Sequence, residues 1–231
     1  MRKYFFTLVA LLFVATTQGQ STSNDAKKSY AKPSRDYTML QIGYENWLNA
    51  PDSIKIGGLG RAFNIYLCYD FPIAKSNFSF AAGAGLASSN IYLKDQTVVL
   101  TDTTATVSFI PETESYKKYK WTTTYLELPF ELRFFSNKEN RNKGFKAAIG
   151  LKVGTLLSSH TKGKRTYNSK PIIEKVSTKR YVETYRYAAT LRLGYGNFSV
   201  YGAYSISNLF RVNAGPENVR PYQSGICLSG L

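Results

Sequence analysis

Hydrophobic and polar residues alternate with a period of two along most of the chain. In the stretch 122–135, TTTYLELPFELRFF, one alternate set reads Leu, Leu, Phe, Leu, Phe, and the intervening set carries Glu127, Glu131 and Arg133. A period of two indicates β-strands, because successive side chains of a strand point to opposite faces. The pattern predicts strands at 37–47, 61–73, 77–93, 122–135, 145–159, 181–196, 198–210 and 221–231.

The lengths of these segments and of their connections favour a membrane barrel. Strands of about ten residues match a tilted crossing of a bilayer, whereas soluble strands are typically about five to six residues long. Short connections alternate with long ones, as periplasmic turns and extracellular loops do in outer-membrane proteins. We therefore predict an all-β fold, an eight-stranded antiparallel transmembrane up-and-down β-barrel. A soluble sandwich with its apolar faces turned inward is the alternative fold.

The first residues indicate export. Arg2 and Lys3 precede an apolar run that is too short for a spanning helix, and small residues follow it up to Gly19. This order is typical of a secretory signal peptide. We expect a signal peptide at 1–19, a flexible periplasmic leader at 20–35 and the barrel at 36–231. The predicted location is the outer membrane of a Gram-negative bacterium.

Charged residues on the polar faces are expected to line the barrel interior. An eight-stranded barrel is just wide enough to be filled by its own side chains, and charges buried there must be paired. The expected interior charge network is Glu127, Glu131, Arg133, Lys146, Lys152, Arg186 and Arg192. It is interpreted as a structural plug, with a narrow charged pathway for a small solute as the alternative. Pro129 should cause a local bulge, because proline lacks a ladder donor.

Basic residues outnumber acidic ones, giving a net charge of +15. Many lie in the segment 160–180, which we interpret as a long loop in which only Glu174 opposes them. In the outer membrane such a loop lies beside the phosphates of lipopolysaccharide, and contact with anionic lipid is the favoured role. An unspecific solvated loop is the alternative, and export disfavours nucleic acid as a partner. The residues concerned are Lys162, Lys164, Arg165, Lys170, Lys175, Lys179 and Arg180.

Signals of catalysis are weak. The single histidine, His160, follows two serines, and Glu174 or Glu183 could serve as an acid partner in a lipid A-modifying enzyme. A catalytic triad is defined by geometry, however, and these residues are expected in a loop. No metal-ligand spacing and no nucleotide-binding glycine motif is present. We expect no enzymatic activity and no cofactor.

Several segments resemble one family of membrane proteins. They are YLELPFELRF (125–134), GLKVGTLLSS (150–159), YGAYSISNLF (201–210) and GPENVRPYQSGICLSGL (215–231). The chain is similar in these segments to the PorT-like small outer-membrane β-barrel proteins of the Bacteroidota, the outer membrane protein beta-barrel domain group. The resemblance implies a short barrel with a structural or accessory role in the envelope. It also implies a link to type IX protein secretion and partners among envelope or secretion proteins.

Overall fold

The computed structural model describes residues 37–100, 104–137, 140 and 142–230. The predicted signal peptide and leader lie outside the described residues. No helix in this part of the chain is long and apolar enough to cross a membrane. The strands are β1 Thr38–Leu48, β2 Arg61–Pro72, β3 Phe78–Leu93, β4 Gln96–Val99, β5 Ser108–Pro111, β6 Tyr116–Phe135, β7 Phe145–Tyr167, β8 Lys170–Ser177, β9 Tyr185–Tyr195, β10 Phe198–Ser205 and β11 Arg220–Ser229.

Eight strands form a closed antiparallel ring. The main sheet has nine strands in the order β6-β3-β2-β1-β11-β10-β9-β7-β8, and β6 also pairs with β7. That pairing closes the ring, and β8 lies outside it because β8 pairs only with β7. Neighbours in the ring are neighbours in sequence, apart from β4, β5 and β8, which belong to the connections. The predicted eight-stranded up-and-down barrel is confirmed.

The apolar face of each strand points away from the barrel interior. In β2, Phe63, Ile65 and Leu67 are exposed, Leu67 to 67%, whereas the intervening Asn64 and Tyr66 are fully buried. A pleated strand turns alternate side chains to opposite sides, so one face meets lipid and the other meets the interior. The soluble sandwich with inward apolar faces is therefore wrong.

The two ends of the barrel differ. One end carries the short turns between β2 and β3, β6 and β7, and β9 and β10, and the other carries the long connections. We call these the turn end and the loop end. Exposed aromatic side chains ring the turn end, as interfacial girdles do in outer-membrane barrels. They include Phe71, Phe78, Phe145, Tyr195 and Phe198.

At the loop end, segments predicted as loops form additional β-structure. β6 begins at Tyr116, β7 continues to Tyr167, and β7 pairs with β8 to form a hairpin that extends beyond the ring. The interpretation of 160–180 as a loop is wrong, because backbone pairing continues through the basic residues as far as Tyr167↔Lys170. β4 and β5 form a second, smaller hairpin. Conversely, β9 begins at Tyr185 and β10 ends at Ser205, inside the predicted limits.

Pro129 does not cause the predicted bulge. It pairs with Lys152 of β7 in unbroken register, and the register shift in this part of β6 falls between Thr124 and Tyr125. On the other side, pairing with β3 lapses at Gly83 and Ala84 and resumes in the same register. The absent N–H of proline therefore costs a short piece of ladder opposite two small residues, and no residue is displaced.

Candidate functional site

A cluster of paired charges lies inside the barrel near the turn end. Arg133 donates hydrogen bonds to Asp70 and to Glu131, and both bonds are 2.8 Å long. Arg192 donates a hydrogen bond of 3.0 Å to Glu131 and one of 3.1 Å to the Ser229 hydroxyl. All are buried, and the two carboxylates balance the two guanidinium groups. We call Asp70, Glu131, Arg133 and Arg192 the lower cluster. It connects β2, β6 and β9 across the interior, with β11 attached through Ser229.

A second cluster lies nearer the loop end. Glu127 forms an ion pair with Arg186, and the Nε atom of Arg186 donates a hydrogen bond of 2.9 Å to the Glu127 carboxylate. The Tyr66 hydroxyl donates a second hydrogen bond, of 2.5 Å, to the same carboxylate. Lys152 donates a hydrogen bond of 2.9 Å to the Tyr66 hydroxyl and one of 3.2 Å to Gln41. The Tyr66 hydroxyl thus bridges a carboxylate and an ammonium group by hydrogen bonds. We call Glu127, Arg186, Tyr66 and Lys152 the upper cluster.

Neutral side chains extend the upper cluster around the inner wall. Asn64 donates a hydrogen bond of 3.1 Å to Gln41 and one of 3.0 Å to Gln223. Gln223 donates to Glu45 over 2.7 Å, and the Ser89 hydroxyl also donates to Glu45. Amide and hydroxyl partners of this kind reduce the cost of burying a carboxylate. Glu45 and Glu127 together match the charge of Lys152 and Arg186.

Apolar side chains fill the barrel above the upper cluster, at the loop end. The ring of Trp47 meets the ring of Trp121 edge to face at 6.1 Å and that of Phe210 at 5.9 Å between centroids. We call this group the apolar cap. Its buried members are Trp47, Ile54, Ile91, Leu93, Val98, Val107, Tyr119, Trp121, Tyr125, Leu156, Tyr181, Val182, Leu209, Phe210, Ala214 and Val219.

Little space remains between these layers. A cavity of about 20 Å³ lies beside Glu127, Lys152 and Arg186. Such a volume holds about one water molecule. The described interior is thus a succession of a paired charge cluster, a second polar cluster and an apolar layer.

The structure places all the sequence-predicted interior charges on the inner wall. Six belong to the two clusters, whereas Lys146 lies apart at the turn end. Its ammonium group lies 3.5 Å from the Asn142 amide oxygen and 5.8 Å from the centre of the Phe135 ring.

Sequence analysis missed Asp70 and Glu45, although both occupy interior positions of the alternation. The missed polar partners Gln41, Asn64, Tyr66 and Gln223 carried the same signal.

The basic residues of the β7–β8 hairpin do not form one set. Arg165 pairs with Glu114 and, over 2.7 Å, with Glu174. The Tyr116 hydroxyl donates a hydrogen bond of 2.5 Å to Glu174, and this bond lowers the pKa of the Glu174 carboxyl. Burial raises the pKa of Tyr116 to about 12. Arg165 is thus held by two carboxylates, one of them a residue that sequence analysis did not consider.

The other predicted lipid-contact residues are distributed over the hairpin. Lys162 and Lys175 are cross-strand neighbours, and Lys164 lies opposite Ile173. Lys170 begins β8, next to the turn. Lys179 and Arg180 follow β8 and are exposed.

His160 lies in strand β7, not in the predicted loop. It pairs with Thr122 of β6 and Ser177 of β8. Ser159 points to the opposite, inner face, where its hydroxyl accepts a bond of 2.9 Å from Trp121. Glu174 is engaged by Tyr116 and Arg165, so neither residue is placed to act with His160. Within the described residues, no group of His, Cys, Asp and Glu side chains could hold a metal ion.

A closed antiparallel ring with an apolar exterior and a hydrogen-bonded polar interior defines an integral outer-membrane β-barrel protein. A family model described as outer membrane protein beta-barrel domain matches residues 12–211. The chain therefore belongs to this family. No curated protein and no solved structure matches it.

Proposed function

We propose that this protein is a non-conducting outer-membrane barrel with a structural or accessory role in the cell envelope. One observation supports this proposal: every level of the described interior is occupied by side chains that bond or pack with one another. In this view the two charge clusters are a plug that ties opposite walls together.

The energetics of the interior favour a plug over a pathway. A buried ion pair loses several kcal/mol per ion in desolvation, and good geometry with further hydrogen bonds is needed to offset that cost. The Arg133, Glu131 and Arg192 chain has such geometry. A permeating ion would have to break these bonds and then cross the apolar cap, where nothing replaces its hydration shell.

Conductance across a planar lipid bilayer tests the proposal. The refolded protein should give no current steps, with a general porin prepared in the same way as the positive control. A gel comparing unheated and boiled samples would first verify that the barrel is folded. Stable single-channel steps from the folded protein would overturn the plug and establish the alternative, a narrow solute channel.

The finer assignment rests on the resemblance of the segments 125–134, 150–159, 201–210 and 215–231. We propose a PorT-like barrel of the Bacteroidota, exported by the signal peptide at 1–19 and linked to type IX protein secretion. Envelope or secretion proteins would then be its partners. A deletion strain should accumulate type IX substrates inside the cell. Normal secretion by that strain would contradict the secretion link and leave the plug proposal intact.

We further propose that the protein has no catalytic activity. Ser159 points away from His160, and among the described residues the Nδ1 atom of His160 has no hydrogen-bond partner, whereas a catalytic base must share a hydrogen bond with its hydroxyl. Mass spectrometry of lipid A from wild-type and deletion strains provides the test. An acyl chain or phosphate that is altered only in the presence of the protein would show that it modifies lipid A.

A further inference from the structure

Three lysines stand side by side on the outer face of the strands that extend beyond the loop end. The pairing register places Lys120 of β6 directly opposite Lys162 of β7, and Lys162 directly opposite Lys175 of β8. We call these residues the lysine row. Like charges directly opposite one another on a sheet are destabilising. Lys120 donates a hydrogen bond of 2.5 Å to the Asn90 amide oxygen, which is neutral, so an anion would offset the repulsion that remains along the row.

The neighbouring positions of this face supply no carboxylate. One step towards the strand ends, Lys118 lies opposite Lys164 and Lys164 opposite Ile173. One step towards the barrel, Thr122, His160 and Ser177 form the next row. On β3, the residue opposite Lys120 is Tyr92, and the Arg61 guanidinium lies over its ring at 5.9 Å. The lysine row thus lies between further cationic and neutral side chains.

Electrostatic coupling agrees with this arrangement. Burial, together with the charges of Lys162 and Arg61, lowers the pKa of Lys120. Burial, together with Lys175, Lys120 and Lys162, lowers the pKa of His160. The positive charges are therefore close enough to repel one another. A bound phosphate would offset the repulsion that contributes to both pKa shifts.

The acidic side chain of the hairpin points to the other face. Glu174 lies opposite Gly163, one position away from the lysine row, and holds Arg165 there. Because alternate residues point to opposite faces, the carboxylate cannot neutralise the lysine row. The hairpin thus has a compensated inner face and an uncompensated outer face.

The backbone of the lysine row lies just above the headgroup layer of the membrane, within reach of that layer through the lysine side chains. Leu126 and Leu157 are exposed apolar residues at the upper edge of the lipid-facing belt. Lys162 lies five residues beyond Leu157 in sequence, about 15 Å along a tilted strand. A lysine stem can bend to bring its ammonium group down to the phosphate level.

We infer that the lysine row, with His160 beside it, is a docking site for the phosphate groups of an anionic glycolipid of the lipid A type in the outer leaflet. Lysine binds phosphate as a compact point charge with three donors. The site is narrower than the set expected from sequence: it adds Lys120 and leaves out Lys164, Arg165, Lys170, Lys179 and Arg180. The inference rests on the outer-membrane location of the barrel and is independent of the proposed plug.

Native mass spectrometry of the detergent-solubilised full-length barrel with purified lipid A tests this site. The row variant Lys120→Gln, Lys162→Gln, Lys175→Gln is compared with a matched variant that removes the same charge elsewhere on the extension, Lys170→Gln, Lys179→Gln, Arg180→Gln. We expect the row variant to bind lipid A about tenfold more weakly and the matched variant to bind as the wild type does. Enzymatically dephosphorylated lipid A should bind the wild-type protein as weakly as lipid A binds the row variant. Inorganic phosphate alone should compete poorly, because it has no acyl chains to pack against the apolar exterior of the barrel.

Three results would overturn the inference. They are equal loss of binding in both variants, unchanged binding in the row variant, and equal binding of dephosphorylated lipid A. The first would indicate general charge attraction, and the third would indicate recognition of acyl chains or sugar. Relief of repulsion should let the row variant fold, and unheated gel mobility verifies it. The single substitution Lys162→Gln, at the centre of the row, provides a second measurement with a smaller expected loss.

Discussion

Arg133 of β6 donates a hydrogen bond of 2.8 Å to Asp70 of β2, although strand β3 lies between β6 and β2 in the ring. The contact therefore crosses the barrel interior and does not follow the wall. Both side chains are almost completely buried, and Arg133 also bonds Glu131. This guanidinium joins charges from two strands that share no backbone ladder.

Removal of Asp70 should strongly destabilise the barrel. Asp70→Ala leaves Arg133 buried with one carboxylate fewer, and loss of one partner from a buried pair costs about 3–5 kcal/mol. Urea unfolding in lipid vesicles measures the change in unfolding free energy. Asp52→Ala, at an exposed carboxylate in the β1–β2 connection, is the matched control and should change it little. Equal stability of the two variants would show that the lower cluster contributes nothing.

Loss of a single hydroxyl should be felt in the upper cluster. Tyr66→Phe removes the group that donates to Glu127 and accepts from Lys152. Each charge then lacks one bond, and a cost of about 1–3 kcal/mol is expected. Tyr185→Phe removes a hydroxyl from the exposed face and should be neutral. The same unfolding experiment compares them, and a neutral Tyr66→Phe would mean that water replaces the phenol.

Interior glycines should tolerate no added methyl group. A Cβ at Gly85 would collide with the Ile65 carbonyl oxygen and the Tyr66 ring, whereas at Gly202 on the outer face the nearest atom lies 4.0 Å away. Overpacking of this kind costs about 1–3 kcal/mol. The folded fraction on unheated gels should therefore fall for Gly85→Ala and stay unchanged for Gly202→Ala. Similar behaviour of both variants would imply an interior that can expand.

The apolar cap should control access to the loop end. Trp47→Ala removes a ring that packs on Trp121 and Phe210, and such truncation of a core residue costs about 3–5 kcal/mol. We expect proteinase K to cleave the loops of this variant faster on intact cells, with the remaining Trp121 fluorescence shifted to the red. Leu59→Ala, at an exposed position of the same end, is the control. Unchanged cleavage would indicate that the loops hold together without the cap.

The single histidine provides a pH-dependent signal. Burial, and then the charges of Lys175 on β8, Lys120 on β6 and Lys162 on β7, lower the pKa of His160 below the usual 6.5. Protonation of His160 therefore favours the unfolded state. Above the pKa of the unfolded state this group leaves the unfolding free energy unchanged, and as the pH falls below that pKa it lowers the unfolding free energy. A histidine NMR titration of the detergent-solubilised protein should give the lowered pKa, and phosphorylated lipid A should raise it. An ordinary pKa that lipid A leaves unchanged would argue against the electrostatics of the lysine row.

Local pattern predicted much of the fold and part of the site. The strict alternation in β2 and β6 was sufficient to assign their lipid-facing and interior faces, including Glu127, Glu131 and Arg133. The β7–β8 hairpin was missed because its residues, rich in lysine, lack an alternating apolar stripe. The effect of Pro129 was misjudged, since it depends on the small residues that β3 places opposite it.

The sequence by itself determined which residues of each strand share a face, because a period of two leaves each side chain only two environments. Only the tertiary structure decided which charges meet. Closure of the ring and the register between strands bring Asp70 to Arg133 and Lys120 to Lys162. Neither contact is local along the chain, so no spacing in the sequence encodes it. The same register gives the protein a compensated interior and an uncompensated cationic row on its outer face.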